Sequence, residues 1–423
     1  MSNLPLTKKI LAKACGKSKV ESGEFIEAKV DVVMINDLTG PLAVDAFEKF
    51  KVKKIWDRSR IVVILDHQVP ADRVQSAELH KKLRKFVFEY GIVNFYDVGR
   101  GGICHQVLAE GGHVKPGDLV VGADSHTCML GALGAFATGI GSTDAAAVFA
   151  TGRLWFKVPE VVKVEVSGKF KSYVFPKDLI LHIIGFLGED GANYKALEFT
   201  GETIQNMSIE GRMTICNMVV ESGAKTGIIE PDSETIRYLM ERIKDSITPI
   251  RGDLNAEYEE TLCFNVENLE PQVSCPPNVS NVKVVDELEN IKVDQAFLGS
   301  CTNGRLEDLE VAARILRNRK VNKDTRMIVI PASQEIYIEA LKRGLLEIFV
   351  KAGAFVGPPT CGPCLGGHFG LLGDDEVCIS SSNRNFTGRM GSSKAKVYLA
   401  SPATVAASAV TGRITNPKNF LKS

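Results

Sequence analysis

The sequence carries no net charge: 51 Lys and Arg balance 51 Asp and Glu over 423 residues. That balance gives no support for nucleic acid or an anionic membrane surface as a partner, since both call for an excess of positive charge. No apolar run approaches the ~20 residues a helix needs to cross a bilayer. The first segment, Leu6-Thr-Lys-Lys-Ile10-Leu11-Ala-Lys-Ala, lacks the long apolar core and cleavage site of a secretory signal and reads as a short amphipathic helix of the fold. The ten cysteines are scattered through a chain far longer than a disulfide-stapled domain. This predicts a reducing cytoplasm, where thiols serve metals or catalysis. There is no Walker-type Gly-Lys-Ser/Thr, no internal repeat and no low-complexity tract. Gly139-Ile140-Gly141 lacks the third Gly of a dinucleotide loop, and the Ala/Gly-rich run before it reads as helix rather than strand, which argues against nucleotide binding.

What is present is an alternation of short apolar runs and amphipathic segments. Residues 60–67 and 117–126 read as buried strands that end in polar clusters, and residues 76–88 carry apolar positions at helical spacing. The last third repeats the pattern: a strand at 296–299, a helix marked by Leu306, Leu309, Ala313 and Leu316, a strand at 327–330, one helix over 335–350 and a strand at 354–356. This is an α/β architecture. A β-like run begins after Pro159, and a Pro-rich stretch at 274–279 follows the loop-like, acidic region 253–270. The boundaries expected are therefore 1–160, 161–275 and 276–423, three α/β domains.

Three cysteines stand out. Cys301 lies in Gly-Ser-Cys-Thr-Asn-Gly after one strand, and Cys361-Gly-Pro-Cys364 follows another. Ligands gather outside the carboxyl ends of strands in open α/β sheets, so the three thiols could meet at one edge. They are one short of the usual four ligands of an iron–sulfur cube, which would leave one iron open to substrate. Three rivals remain at this point, the plainest being buried structural thiols with no ligand. His368 could complete a zinc site. The Cys-x-x-Cys spacing could serve dithiol exchange, although flanking Pro358-Pro359 and Gly366-Gly367 suggest a loop rather than a helix start.

Polar residues cluster at other strand ends: Asp66-His67, His105, Asp124-Ser125-His126, Glu198, and Asn383-Arg384 with Arg389. A His beside a carboxylate at a strand end can be a general acid kept protonated by its neighbour. Arginines in a turn-rich loop suit bidentate capture of carboxylates.

Together and in order, Asp66-His67, Gly-Ala-Asp-Ser-His-Thr at 122–127, the Cys301 and Cys361/Cys364 motifs and Ser-Asn-Arg-Asn-Phe-Thr-Gly-Arg at 382–389 resemble the aconitase superfamily. The nearest branch contains the large subunits of 3-isopropylmalate dehydratase and homoaconitase. The resemblance spans nearly the whole chain, including 211–218 and 398–409. It implies three-layer α/β/α domains around a [4Fe–4S] cluster on Cys301, Cys361 and Cys364. His67, backed by Asp66, would protonate a departing hydroxyl. Asp124 with His105, and Glu198 with His126, would be the supporting acid/base pairs. Arg384, Arg389, Asn383 and Ser125 would bind substrate. The early loop at 36–41 lacks the Gln that aconitases place in the substrate site. The swivelling domain, with its serine base, has no counterpart before Ser423. The resemblance therefore implies a small-subunit partner, in a heterodimer or heterotetramer. The expected reaction is isomerisation of isopropylmalate by dehydration and rehydration in leucine biosynthesis, with homoaconitate hydration as the alternative. An RNA-binding regulator, the non-enzymatic alternative, is disfavoured by the neutral charge.

Overall fold

The computed structural model describes residues 3–244 and 246–421. Its architecture rests on three main sheets and one antiparallel ribbon, Phe25–Lys29 with Arg153–Lys157. The first sheet is parallel throughout, in the order Asn94–Tyr96, Ile61–Ile64, Val32–Asn36, Leu119–Gly122, Phe136–Gly139. The middle three strands are fully buried, which is why they read as continuous Val/Ile runs rather than alternating ones. Val33, Ile35, Ile61 and Val63 pack against Phe47, Leu83, Phe86 and Phe149 from the helices Gly40–Lys49, Val74–Tyr90 and Ser142–Thr151. Met34, Val62 and Ile64 point the other way, into a core shared with Leu108, Met129 and Met213. This is a doubly wound sheet with helices on both faces.

The second sheet is also parallel: Thr226–Ile229, Ala196–Thr200, Val161–Ser167, Glu260–Asn265. The third has seven strands, in the order Val282–Val284, Gln272–Ser274, Lys396–Ala400, Val377–Ser380, Gln295–Leu298, Arg326–Val329, Phe355–Val356, antiparallel only where Gln272–Ser274 pairs. The five parallel strands of the third sheet follow the winding of the first. The chain enters a middle strand, builds to one edge, then returns and builds to the other. Each sheet thus has one place where the direction of winding reverses. In the first it lies between Val32–Asn36 and Leu119–Gly122, in the third between Gln295–Leu298 and Val377–Ser380. A crevice opens at such a place because the loops on its two sides run apart.

Three local expectations are corrected. The helix over 335–350 is two, Gln334–Lys342 and Leu345–Ala352, separated at Gly344, whose φ of +71° ends the first by a left-handed turn. The loop-like 253–270 contains the strand Glu260–Asn265, an exposed edge with too little burial to show an apolar pattern. Gly139 ends a true strand, Phe136–Gly139, and the helical run lies earlier, as the 3-10 turns Ser125–Leu133. Among the described residues no helix is long and apolar enough to cross a membrane.

Candidate active site

The strand Ile61–Ile64 delivers Asp66 and His67. His67 Nδ1 lies 2.7 Å from Asp66 Oδ1, and the other oxygen of Asp66 accepts from the Cys104 amide at 2.7 Å. The turn itself is shaped by Asp37, which follows the strand Val32–Asn36. Its carboxylate accepts three successive backbone N–H groups, from Asp66 at 2.9 Å and from His67 and Gln68 at 2.8 Å each. Burial alone would raise the Asp37 pKa, but His80, His67 and these amides hold it well below the usual carboxylate range. Burial likewise opposes charge on His67, yet Asp66 and the Cys361 sulfur more than offset it and keep the imidazolium well above its ordinary pKa.

From His67 the polar groups run on without a break. His67 Nε2 lies 3.6 Å from Asp124 Oδ2. Asp124 Oδ1 accepts from His105 Nε2 and from the His126 amide, both at 2.9 Å. Asp124 is half-buried, and the two histidines keep it ionised against the desolvation that this brings. His126 Nε2 lies 2.9 Å from Glu221 Oε1, and Glu221 in turn accepts from Arg384 Nε at 2.8 and 3.1 Å. Acids and bases alternate along this line, so each buried charge has an opposite neighbour.

Glu198, expected opposite His126, is elsewhere. Its Oε1 accepts from the Thr7 amide at 2.7 Å and its Oε2 from the Tyr258 hydroxyl at 3.1 Å. It caps the helix Leu6–Cys15, where a carboxylate meets free N–H groups and the positive end of the helix dipole. The place beside His126 belongs to Glu221. The helix Ile209–Met218 runs on into the turn Val219–Ser222, so Asn217 and Glu221 fall four residues apart on one face. That spacing was the available signal.

The thiols come from the third sheet. Cys301 follows the strand Gln295–Leu298 at the winding reversal, directly after Ser300, a non-glycine residue at φ +77°. Such strain is stored where the surroundings enforce it. Cys361 docks on the first sheet's loop by its amide, 3.0 Å from the Asp66 carbonyl, and Cys364 follows in the turn Gly362–Leu365. All three are buried. Side-chain amides aim at them: Asn217 Nδ2 lies 3.2 Å and Asn383 Nδ2 3.4 Å from Cys301 Sγ, while Arg389 Nη2 is 3.9 Å from Cys364 Sγ. Arg389 Nε is buried and has no partner in the chain. Ser125, between Asp124 and His126, lines a cavity of about 440 Å³ together with Lys225, Trp155 and Tyr194.

The sulfur set discriminates among the readings of the motif. A single zinc ion at about 2.3 Å from each sulfur would draw them to within about 4 Å of one another. Among the described residues, the group whose ligand atoms all lie within 4.8 Å is Asp66, His67 and Cys361, not the three thiols. His368, the fourth zinc ligand in that reading, directs Nε2 to the Pro70 carbonyl at 3.1 Å. A redox dithiol needs a depressed pKa, whereas burial pushes the Cys361 thiol up. Buried sulfurs set wider than a mononuclear site, with N–H groups aimed at them, fit a larger inorganic group.

"3-isopropylmalate dehydratase large subunit 1" of Methanopyrus kandleri is 54% identical over 98% of this chain and 99% of its own length. "Probable 3-isopropylmalate dehydratase large subunit" of Methanothermobacter thermautotrophicus is 57% identical over 98% and 99%. "Probable methanogen homoaconitase large subunit" of the same organism is 51% identical over 99% and 98%. The holo-form of Thermococcus kodakaraensis aconitase X is a distant structural likeness, with a TM-score of 0.49 and 14% identity over 84% of each chain. The model of the aconitase family (aconitate hydratase) matches residues 8–412, a span that takes in all three sheets and every residue of the site. The chain belongs to the aconitase family.

Proposed function

We propose that the chain is the large subunit of a two-chain hydro-lyase that interconverts 2-isopropylmalate and 3-isopropylmalate by removing water and adding it back. In this reading Cys301, Cys361 and Cys364 hold a [4Fe–4S] cluster, and a small subunit completes the site as a heterodimer or heterotetramer in a reducing cytoplasm. One observation carries the reading. Three thiols set too wide for a single ion adjoin an unbroken line of acids and bases, in a chain whose relatives are named for that dehydratase along almost their whole length.

When bound, the cluster supplies Lewis acidity at its open iron toward the substrate's hydroxyl and carboxylate. The chain's own residues do the rest. Asp66 fixes the His67 ring by its Nδ1 contact, leaving Nε2 to give a proton to the departing hydroxyl. Asp124, within 3.6 Å of that nitrogen, stabilises the imidazolium and links it to His105 and His126. Glu221 orients Arg384, and Arg389 offers its unpartnered Nε; both guanidinium groups suit substrate carboxylates. Asn383, set against the Cys301 and Cys364 sulfurs, and Ser125, between Asp124 and His126, complete the substrate-facing set in this reading. The base that removes the carbon-bound proton belongs to the small subunit.

The relative named as a homoaconitase keeps homoaconitate as the second reading. The test mixes the anaerobically reconstituted chain with the small subunit of the same organism and assays 2-isopropylmalate, homoaconitate and citrate side by side. Turnover of isopropylmalate by the pair, with essentially none from either chain alone, is expected. Full-rate turnover by the isolated chain refutes the shared site, and a preference for homoaconitate refutes the substrate.

A further inference from the structure

Lys177 lies in the first turn of the helix Pro176–Leu187 and is completely buried. Its Nζ donates to the Ser381 carbonyl at 2.8 Å, the Ser382 carbonyl at 2.7 Å and Asn303 Oδ1 at 3.4 Å. Three acceptors use all three protons of an ammonium, one more than a neutral amine could donate. All three acceptors are uncharged; the carboxylates that act on the ammonium, Asp308 and Asp178, are not hydrogen-bonded to it, and a buried charge without a paired partner is costly.

The position of those acceptors is informative. Asn303 is two residues beyond Cys301. Ser381 and Ser382 lead directly into Asn383, whose amide bridges the thiols, Nδ2 at 3.4 Å from Cys301 Sγ and Oδ1 at 3.7 Å from Cys364 Sγ. Ser381 Oγ adds a direct staple between the loops, accepting from the Gly299 amide at 3.0 Å. Lys177 is thus the floor on which the Cys301 loop and the Asn383–Arg384 loop rest.

We propose that Lys177 is a positioning residue that supplies the buried countercharge for a thiolate-bound cluster and locks the two loops that frame it. The inference rests on the cluster reading above. An anionic occupant of the three-thiol site gives the ammonium the opposite charge its immediate acceptors lack. Burial pulls the Lys177 pKa down to about 7, while the Asp308 carboxylate first, then Cys301 and Cys364, and then Asp178 pull the other way.

The test is Lys177→Met, which keeps the side chain's bulk and removes its charge and donors. Wild type and variant are reconstituted anaerobically with iron and sulfide, and two quantities are read apart from activity: the midpoint potential by spin-resonance titration, and the rate of iron loss to a chelator. Removing a nearby positive charge disfavours the more negative, reduced cluster. The reduced-to-oxidised ratio at fixed potential is expected to fall about tenfold, which is about 59 mV for one electron, and iron loss to quicken about tenfold. Lys8→Met, a mostly buried lysine paired with Glu259 instead, is expected to change neither.

Should Lys177→Met not fold, Asn303→Ala keeps the ammonium and cuts its tie to the Cys301 loop. Faster iron loss with little change in potential is then expected, and unchanged iron loss overturns the proposal. A loaded Lys177→Met whose potential and iron loss stay within twofold of wild type overturns this inference alone. A wild-type chain that takes up no iron and sulfide overturns the cluster reading and this inference with it.

Discussion

Replacing Glu221 by Gln exchanges one carboxylate oxygen for an NH2 group at the point where His126 and Arg384 meet. The carboxylate accepts from His126 at 2.9 Å and from Arg384 at 2.8 and 3.1 Å in a buried setting. Hydrogen bonds to charged groups contribute about 1.5–3 kcal/mol each, and the new NH2 faces one of two donors with no acceptor to offer. The variant loses about one such bond and leaves Arg384 free to turn from its bound orientation, so about 2–4 kcal/mol of transition-state stabilisation is at stake. At about 1.4 kcal/mol per decade, kcat/KM of the two-subunit enzyme is expected to fall roughly 30- to 1,000-fold. Glu198→Gln is the matched comparison. Glu198 accepts from the first turn of the helix Leu6–Cys15 and from the Tyr258 hydroxyl, so its loss weakens a helix cap, at about 1–2 kcal/mol. A lower melting temperature with kcat/KM within about twofold of wild type is expected. Steady-state kinetics and thermal melts on both variants decide the matter. Loss of activity in Glu198→Gln without loss of stability, or full activity in Glu221→Gln, refutes the placement of these two acids.

His67→Gln is expected to keep the cluster's visible absorbance and lose about 10²- to 10⁴-fold in turnover, the range for a general acid; loss of absorbance as well would make His67 structural. Because the folded-state pKa of His67 is raised, its contribution to stability is fully present below about pH 6.5, the unfolded value, and is lost as pH rises through the folded value. Denaturant melts of metal-free protein are therefore expected to show the gap between wild type and His67→Gln closing toward high pH; a gap that widens refutes the ion pair. Cys301→Ser is expected to abolish the absorbance of the reconstituted chain. Stoichiometric zinc in anaerobically prepared wild type, with iron and sulfide refused, refutes the cluster.

The sequence shows its chemistry best where a strand ends abruptly in polar residues. Asp66-His67 and Asp124-Ser125-His126 were legible for that reason, and so was Cys301 after its strand. Asp37 was not, although it also follows a strand, because its role is to gather backbone amides from a loop 29–31 residues further on. Nothing in its own neighbourhood marks that partner. Asn217 and Glu221 were hidden differently. Asn217 lies on a helix whose residues are almost all buried, and Glu221 in the turn that continues it, so no polar face stands out against an apolar one. Glu198 reads in the sequence as a strand-end acid and, by the resemblance, as the partner of His126, but a buried carboxylate at a strand can as well be a cap for a distant helix as a catalytic group. The break at Gly344 and the exposed edge strand Glu260–Asn265 were missed because helical periodicity survives a glycine turn and an edge needs little apolar surface.

The two doubly wound sheets explain why so many separate segments could converge. Their shared strand order carries no shared sequence pattern, because it is set by winding and by the twist of parallel strands rather than by particular residues. Each winding reversal opens a crevice at its carboxyl edge. The first sheet fills its crevice with Asp37, Asp66, His67 and Asp124, and the third fills its own with Cys301 and Asn383. The Cys361 amide on the Asp66 carbonyl and the Ile103 amide on the Ala332 carbonyl, at 2.8 Å, join the loops of the two sheets. Thiols and proton donors thus come from different sheets and meet only when both are folded and docked. An acid held beside Cys361 by backbone contacts, rather than by the flexible side chains of one loop, keeps its distance to whatever the thiols hold, which is the condition for a proton transfer timed to the departure of a bound hydroxyl.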